Sequence, residues 1–142
     1  MHLNTYLFFT GQCKEAFEFY EKVLGGNIEM MMPHRGSPAE QHTPAEWQDK
    51  ILHARLTIGD NVLMASDAPP GRQHKIGGFA VNIGLHDPKE GERIFRALEE
   101  SGTVIMPYGE TFWADRYGML TDRFGITWMV NVEKPVERAA SH

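Results

Sequence analysis

The residues able to do chemistry are few and unevenly spread. His53 and Arg55 alternate along the apolar run Ile51–Ile58, so one side of an extended segment would carry an imidazole and a guanidinium. An imidazole can move protons near neutral pH, and a guanidinium neutralises a carboxylate or an oxyanion. His34 and His42 stand in a long irregular stretch, whereas His2, His74, His86 and His142 read as loop or terminal residues. No His-Glu-x-x-His and no paired Cys/His spacing is present, so no metal motif can be written. Cys13 falls in the first turn of an expected helix, where the macrodipole would lower its pKa and favour a thiolate. Phosphate-cradling glycine loops and a nucleophile elbow are absent.

Composition narrows the setting for these groups. The chain has 142 residues, 42% hydrophobic, with 14 basic and 19 acidic side chains and a net charge of −5. Such a length suits one domain with a core of its own. One cysteine forbids an internal disulfide and suits a reducing compartment. The acidic balance and the lack of a Lys/Arg cluster argue against nucleic acid as a partner. No apolar run approaches the roughly 20 residues that span a bilayer, and Met1-His2-Leu3-Asn4 does not begin like a signal peptide. The expectation is a cytoplasmic protein that acts through a pocket or an interface.

The elements that must position these residues come twice. Leu3–Phe9 reads as a strand, followed by a helix with Ala16, Phe17, Phe19, Tyr20, Val23 and Leu24 at helical spacing and Gly25-Gly26 as its stop. Strands are expected at Ile28–Met32, Ile51–Ile58 and Val62–Ala65, the last two joined by Gly59-Asp60-Asn61. Phe79–Leu85 then restarts the order. Asp87-Pro88-Lys89-Glu90 opens a second helix with Gly91, Ile94, Phe95 and Leu98 on one stripe. Thr103–Tyr108, Trp113–Thr121 and Ile126–Val132 complete a second β-α-β-β-β. Residues 33–50 form a long loop, in which Thr43-Pro44-Ala45-Glu46 resembles a capping box for a short helix carrying Trp47. The fold class expected is α+β, as two tandem βαβββ modules forming a curved mixed sheet around a concave pocket. The expected layout is a single domain over 1–135, with modules at about 1–67 and 78–133, a linker at 67–77 and a frayed tail at 136–142.

Alternation along the strands then proposes a lining for that concavity. Leu52, Ala54, Leu56 and Ile58 are assigned to the helix side, leaving His53 and Arg55 facing inward. Val81 and Ile83 likewise leave Asn82 inward, with Leu7 taken as its first-half equivalent. The expected set is His53 and Arg55 as catalytic candidates, with Thr5, Leu7, Asn82, Trp113, Tyr117 and Met129 as substrate contacts. Two further readings stand beside it. His53 and Arg55 could instead bond a carboxylate such as Asp115, and Trp113 could stack on a partner subunit. Met30-Met31-Met32 suits either core or an adaptable binding wall.

The doubled unit, with Tyr6-Leu7-Phe8-Phe9, Glu15-Ala16, Phe19-Tyr20 and Lys50-Ile51-Leu52-His53-Ala54-Arg55-Leu56, resembles the vicinal oxygen chelate superfamily of glyoxalases, bleomycin-resistance proteins and extradiol dioxygenases. Leu63-Met64-Ala65-Ser66-Asp67, Trp113-Ala114-Asp115-Arg116-Tyr117-Gly118 and Asp122-Arg123-Phe124-Gly125-Ile126-Thr127-Trp128 point to its PhnB-like (YjdN-like) branch. The resemblance implies a divalent metal held by histidine and glutamate in many members. Carried over position by position, those ligands fall on Thr5, Ala80, Met129 and the stretch Met64–Ser66, none of which is an imidazole or a carboxylate. A metal cofactor is therefore not expected unless its ligands have moved. The resemblance implies a small-molecule binder, or alternatively a glyoxalase-like lyase/isomerase or dioxygenase using a relocated metal or His53 as acid/base. It also implies a homodimer. A label linking some relatives to ubiquinone methylation is not carried over, because nothing here looks like an S-adenosylmethionine-binding unit.

Overall fold

A computed structural model describes residues 1–134 of the chain; the tail expected at 136–142 lies outside them. The chain divides into two compact units between Lys75 and Ile76. The first contains β1 (Thr5–Phe9), α1 (Cys13–Leu24), β2 (Asn27–Pro33), β3 (Ile51–Ile58) and β4 (Asn61–Asp67). Its sheet runs β1-β4-β3-β2, with β1 parallel to β4 and the other pairs antiparallel. The second contains β5 (Val81–Leu85), α2 (Pro88–Glu99), β6 (Thr103–Gly109), β7 (Arg116–Thr121) and β8 (Thr127–Val132). Its order, β5-β8-β7-β6 with β5 parallel to β8, repeats the first. The fold is the α+β tandem βαβββ arrangement, as two four-stranded mixed sheets with one helix each.

Each helix buries its apolar stripe on its own sheet. In the first unit Ala16, Phe17, Tyr20 and Val23 are buried with Leu7, Phe9, Ala54, Leu56, Leu63 and Ala65. Phe9 meets Phe17 edge-on, at a centroid separation of 6.3 Å. In the second, Ile94, Phe95 and Leu98 are buried with Leu120, Trp128, Val130 and Val132. Gly118 on β7 is what lets α2 come close, since a Cβ there would sit 2.5 Å from Phe95 Cε2. Among the described residues no helix is long and apolar enough to cross a membrane.

The helix ends follow local chemistry, with two exceptions. Gly25 closes α1 in the left-handed region at φ +69°, and the Asp87 carboxylate accepts from the Lys89 amide at the start of α2. Gln12, at the start of α1, caps nothing with its side chain. Asp67, 54 residues beyond Cys13, does that work. Its Oδ1 accepts from Gly11 N and Cys13 N, and its Oδ2 from Ile51 N, all within 3.0 Å. The Thr43-Pro44-Ala45-Glu46 box makes only a single 3₁₀ turn at Ala45–Trp47, entered from Pro44. Thr43 instead donates its hydroxyl to Ala39 O.

Candidate functional site

Since α1 covers one face of the first sheet, the opposite face is the one this unit leaves open. Register identifies its residues. Tyr6, Met64, Arg55 and Met30 form one cross-strand row, and Met32 pairs with His53 beside it. Tyr6 Oη lies 3.1 Å from His53 Nδ1, and the two rings stack at a centroid distance of 5.7 Å. Phe8 extends the aromatic surface, 5.1 Å from Tyr6 and 59% exposed. A register shift in β2 between Ile28 and Met30 leaves Glu29 as an extra residue, and its carboxylate accepts from Arg55 Nε at 3.1 Å. A bulge that re-aims a side chain is a common device at sheet edges.

His53 and Arg55 thus share the open face, as alternation requires, but their partners are Tyr6 and Glu29 rather than Asp115. A second shift, between Met32 and Pro33, buries Ile51 and leaves Leu52 only half-buried, against the expected order. Leu7 is also corrected. It pairs with Ala65 in the row that continues to Ala54, is 1% exposed, and lies on the helix-covered face. Thr5 shares that parity, in the row of Leu63 and Leu56, and is exposed at its margin.

The reason for the misplacement is one residue. The helix stripes align at an offset of 75, from Ala16 to Gly91, yet residues 10–12 join β1 to α1 while only residues 86–87 join β5 to α2. The strands therefore align at 76, so Tyr6 corresponds to Asn82, and Leu7 to Ile83. A one-residue shift exchanges the two faces of a strand. Tyr6 was missed for this reason; the unequal loop lengths were the signal that could have found it.

In the second sheet the equivalent row is Asn82, Met129, Met119 and Met106. Tyr117 and Asn131 pair in the next row, and Trp113 meets Tyr117 at 5.3 Å with Phe112 4.9 Å beyond it. Asn82, Met129 and Tyr117 thus share one face, with the Trp113 ring against Tyr117. Asn131 Oδ1 is buried without a hydrogen-bond partner. A cleft of about 420 Å³ lies elsewhere in this unit, lined by Asp87, Lys89, Glu92, Tyr108 and Arg116 among others. Burial pushes the Tyr108 phenol above its ordinary range, and its hydroxyl donates to Pro88 O at 2.7 Å. The cleft's two cations face two carboxylates, and Arg116 is already paired with Glu110.

Cys13 does not have the lowered pKa that its place in the first turn of α1 suggests. The thiol is fully buried, and burial, with the Asp67 carboxylate second, pushes its pKa up. Desolvation therefore outweighs the helix terminus. The donor set for a divalent metal is equally unsuitable. Among the described residues no three His, Cys, Asp or Glu side chains converge on one point. Thr5 faces the helix side, Met129 offers a thioether among methionines, and Glu29 is bound to Arg55. These residues do not fit a hard cation.

The doubled unit and its two open faces define the class. The chain belongs to the Glyoxalase/Bleomycin resistance protein/Dioxygenase superfamily, whose family model matches residues 2–130. Within it the chain falls in the YjdN/PhnB-like branch. It is 34% identical to protein YjdN of Escherichia coli over 142 residues, covering 94% of this chain and 97% of that one. The crystal structure of protein PA1353 from Pseudomonas aeruginosa is 47% identical, with a TM-score of 0.87 over 95% of this chain and 99% of that chain. A PhnB protein from Bacillus cereus, described as a putative 3-demethylubiquinone-9 3-methyltransferase, shares the fold at 20% identity and a TM-score of 0.78, over 92% and 98% of the two chains.

Proposed function

We propose that this protein binds a small molecule on the open face of its first sheet, with His53 and Arg55 as the polar contacts. The observation that carries this reading is the grouping of Tyr6, His53 and Arg55 on a face that α1 does not cover. Met30, Met32 and Met64 surround that group with unbranched, polarisable side chains, a wall that adapts to ligand shape. Asn82, Met129, Tyr117 and Trp113 offer the second sheet's open face as a further set of ligand contacts. Membership of a superfamily that includes bleomycin-resistance proteins as well as glyoxalases and dioxygenases is consistent with a small-molecule ligand. The protein acts in the reducing cytoplasm as a homodimer on this reading, which sedimentation of the purified chain checks directly.

The test is a thermal-shift screen against a metabolite library. A ligand present at 100 times its Kd stabilises the native state by roughly 2.7 kcal/mol. The shift should shrink in His53→Ala and in Arg55→Ala. Shifts that persist unchanged in both variants would remove the site from this face.

The Tyr6–His53 hydrogen bond also favours a second reading, a glyoxalase-like lyase or isomerase, or a dioxygenase, in which His53 moves a proton. Turnover of any hit from the screen, lost in His53→Ala while binding survives, would establish it. Binding without turnover across all hits would leave the first reading standing.

A further inference from the structure

We propose that Tyr6 is a positioning residue that fixes His53 as an Nε2–H donor, and that the site consequently takes an oxyanion, a carboxylate or phosphate group, between His53 and Arg55. This rests on the small-molecule reading above and names the class of ligand. The Tyr6 hydroxyl and His53 Nδ1 are 3.1 Å apart, and among the described residues neither atom has another hydrogen-bond partner. One of them must donate. A phenol O–H is a strong donor with a weakly basic oxygen, whereas the unprotonated imidazole nitrogen is a good acceptor. The favourable arrangement therefore has Tyr6 donating to Nδ1, which leaves the ring proton on Nε2. The two rings lie nearly parallel, inclined by 23°.

His53 then presents a donor and no acceptor to anything seated on the open face. Arg55 adds to this. It spends Nε on Glu29, and among the described residues its terminal amino nitrogens carry no hydrogen bond. The two residues lie on one face of β3, roughly 7 Å apart along the strand. A ligand group that meets both must supply lone pairs and tolerate a neighbouring positive charge. An oxyanion does so, whereas an amine or ammonium group meets only donors from His53 and Arg55, and the nearby Glu29 carboxylate is already bonded to Arg55. His53 thus polarises an acceptor rather than abstracting a proton from one, and Tyr6 sets that role without touching the ligand.

The tautomer can be read without any ligand. Long-range ¹H–¹⁵N correlation spectra of the labelled protein at about pH 8, above the usual imidazole range, should show His53 as the Nε2–H form. In Tyr6→Phe the same signals should move to an exchanging mixture. An Nδ1–H form in the wild-type protein, or an unchanged tautomer in Tyr6→Phe, would overturn the role of Tyr6; if the variant fails to fold, the wild-type spectrum alone decides. Titration with inorganic phosphate and with acetate tests the ligand class. Movement of the His53 Nε2 and Arg55 Nη signals with either one supports an oxyanion and tells phosphate from carboxylate. Affinity in Tyr6→Phe should fall by about tenfold, as expected for a charge-assisted bond losing its geometry. No movement with either anion overturns the ligand class, and leaves the thermal-shift reading to be judged by its own screen.

Discussion

The Trp128 indole N–H donates to Asp122 Oδ2 at 2.8 Å, inside the core of the second unit. The other oxygen of Asp122 accepts from the Phe124 and Ile126 amides at 2.9 and 3.0 Å. A single buried carboxylate thus closes the β7–β8 turn and orients the largest core side chain. Asp122→Ala strands three donors, so it should destabilise the protein by about 3 kcal/mol in urea unfolding. Asp122→Asn keeps an acceptor for the two amides but turns an NH₂ or a lost bond toward the indole, at about 2 kcal/mol. Equal stability of all three proteins would contradict the assignment.

Cys13 should be unreactive in the native protein and costly at alkaline pH. Its thiol holds its proton above the ordinary value of 9.0, because burial and the Asp67 carboxylate both oppose the thiolate. The unfolded thiol ionises first, so unfolding releases a proton once the pH passes the ordinary value. The stabilising contribution is complete below that point and declines as pH rises, by about 1.4 kcal/mol per pH unit while the native thiol stays protonated. The difference in stability between the wild type and Cys13→Ala, followed from pH 7 to 10, measures this term. A difference independent of pH, or rapid thiol labelling by a disulfide reagent at pH 8, would disprove it.

Metal removal should leave the protein unchanged. Tyr6, Met64, Arg55 and Met30 in one row, and Asn82, Met129, Met119 and Met106 in the other, present no carboxylate or imidazole trio. Chelator treatment should shift neither the thermal midpoint nor any ligand-induced stabilisation. Protein expressed with supplemented zinc, nickel or manganese should retain less than about one-tenth ion per chain after dialysis. Stoichiometric retention of any one of them would reveal a site built from other residues.

Much of the fold can be read from local chemistry. The Asp87-Pro88 start of α2, the glycine stop after α1 and the hairpin at Gly59-Asp60-Asn61 each follow from the conformations those residues prefer. So does the repetition itself, since the two helices carry the same stripe. The site is less legible because its geometry depends on single-residue irregularities. The bulge at Glu29 gives Arg55 its partner, and the shift before Pro33 buries Ile51 in place of Leu52. The one-residue difference between the β1–α1 and β5–α2 loops decides which of two adjacent residues, Tyr6 or Leu7, corresponds to Asn82. Periodicity conveys the alternation of a strand but not its phase when an insertion separates it from the helix used as reference. Asp67 is hidden for another reason: its role depends on contacts to Gly11 and Cys13, far from it in sequence.

That difference of phase is open to direct test through Leu7 and His53. Leu7 is 1% exposed beside Ala65 on the helix-covered face, so Leu7→Ala opens a core cavity and should cost about 3 kcal/mol of stability. It should leave ligand-induced thermal shifts intact, since the side chain does not reach the open face. His53→Ala removes a half-buried side chain whose ring bond is to Tyr6, so its cost should stay near 1 kcal/mol. The same change should shrink the ligand-induced shift. Stability and binding are thereby assigned to opposite faces of one sheet, and unfolding curves with and without ligand measure both. If Leu7→Ala proved neutral while weakening binding, the register drawn between β1 and β4 would be wrong by one residue.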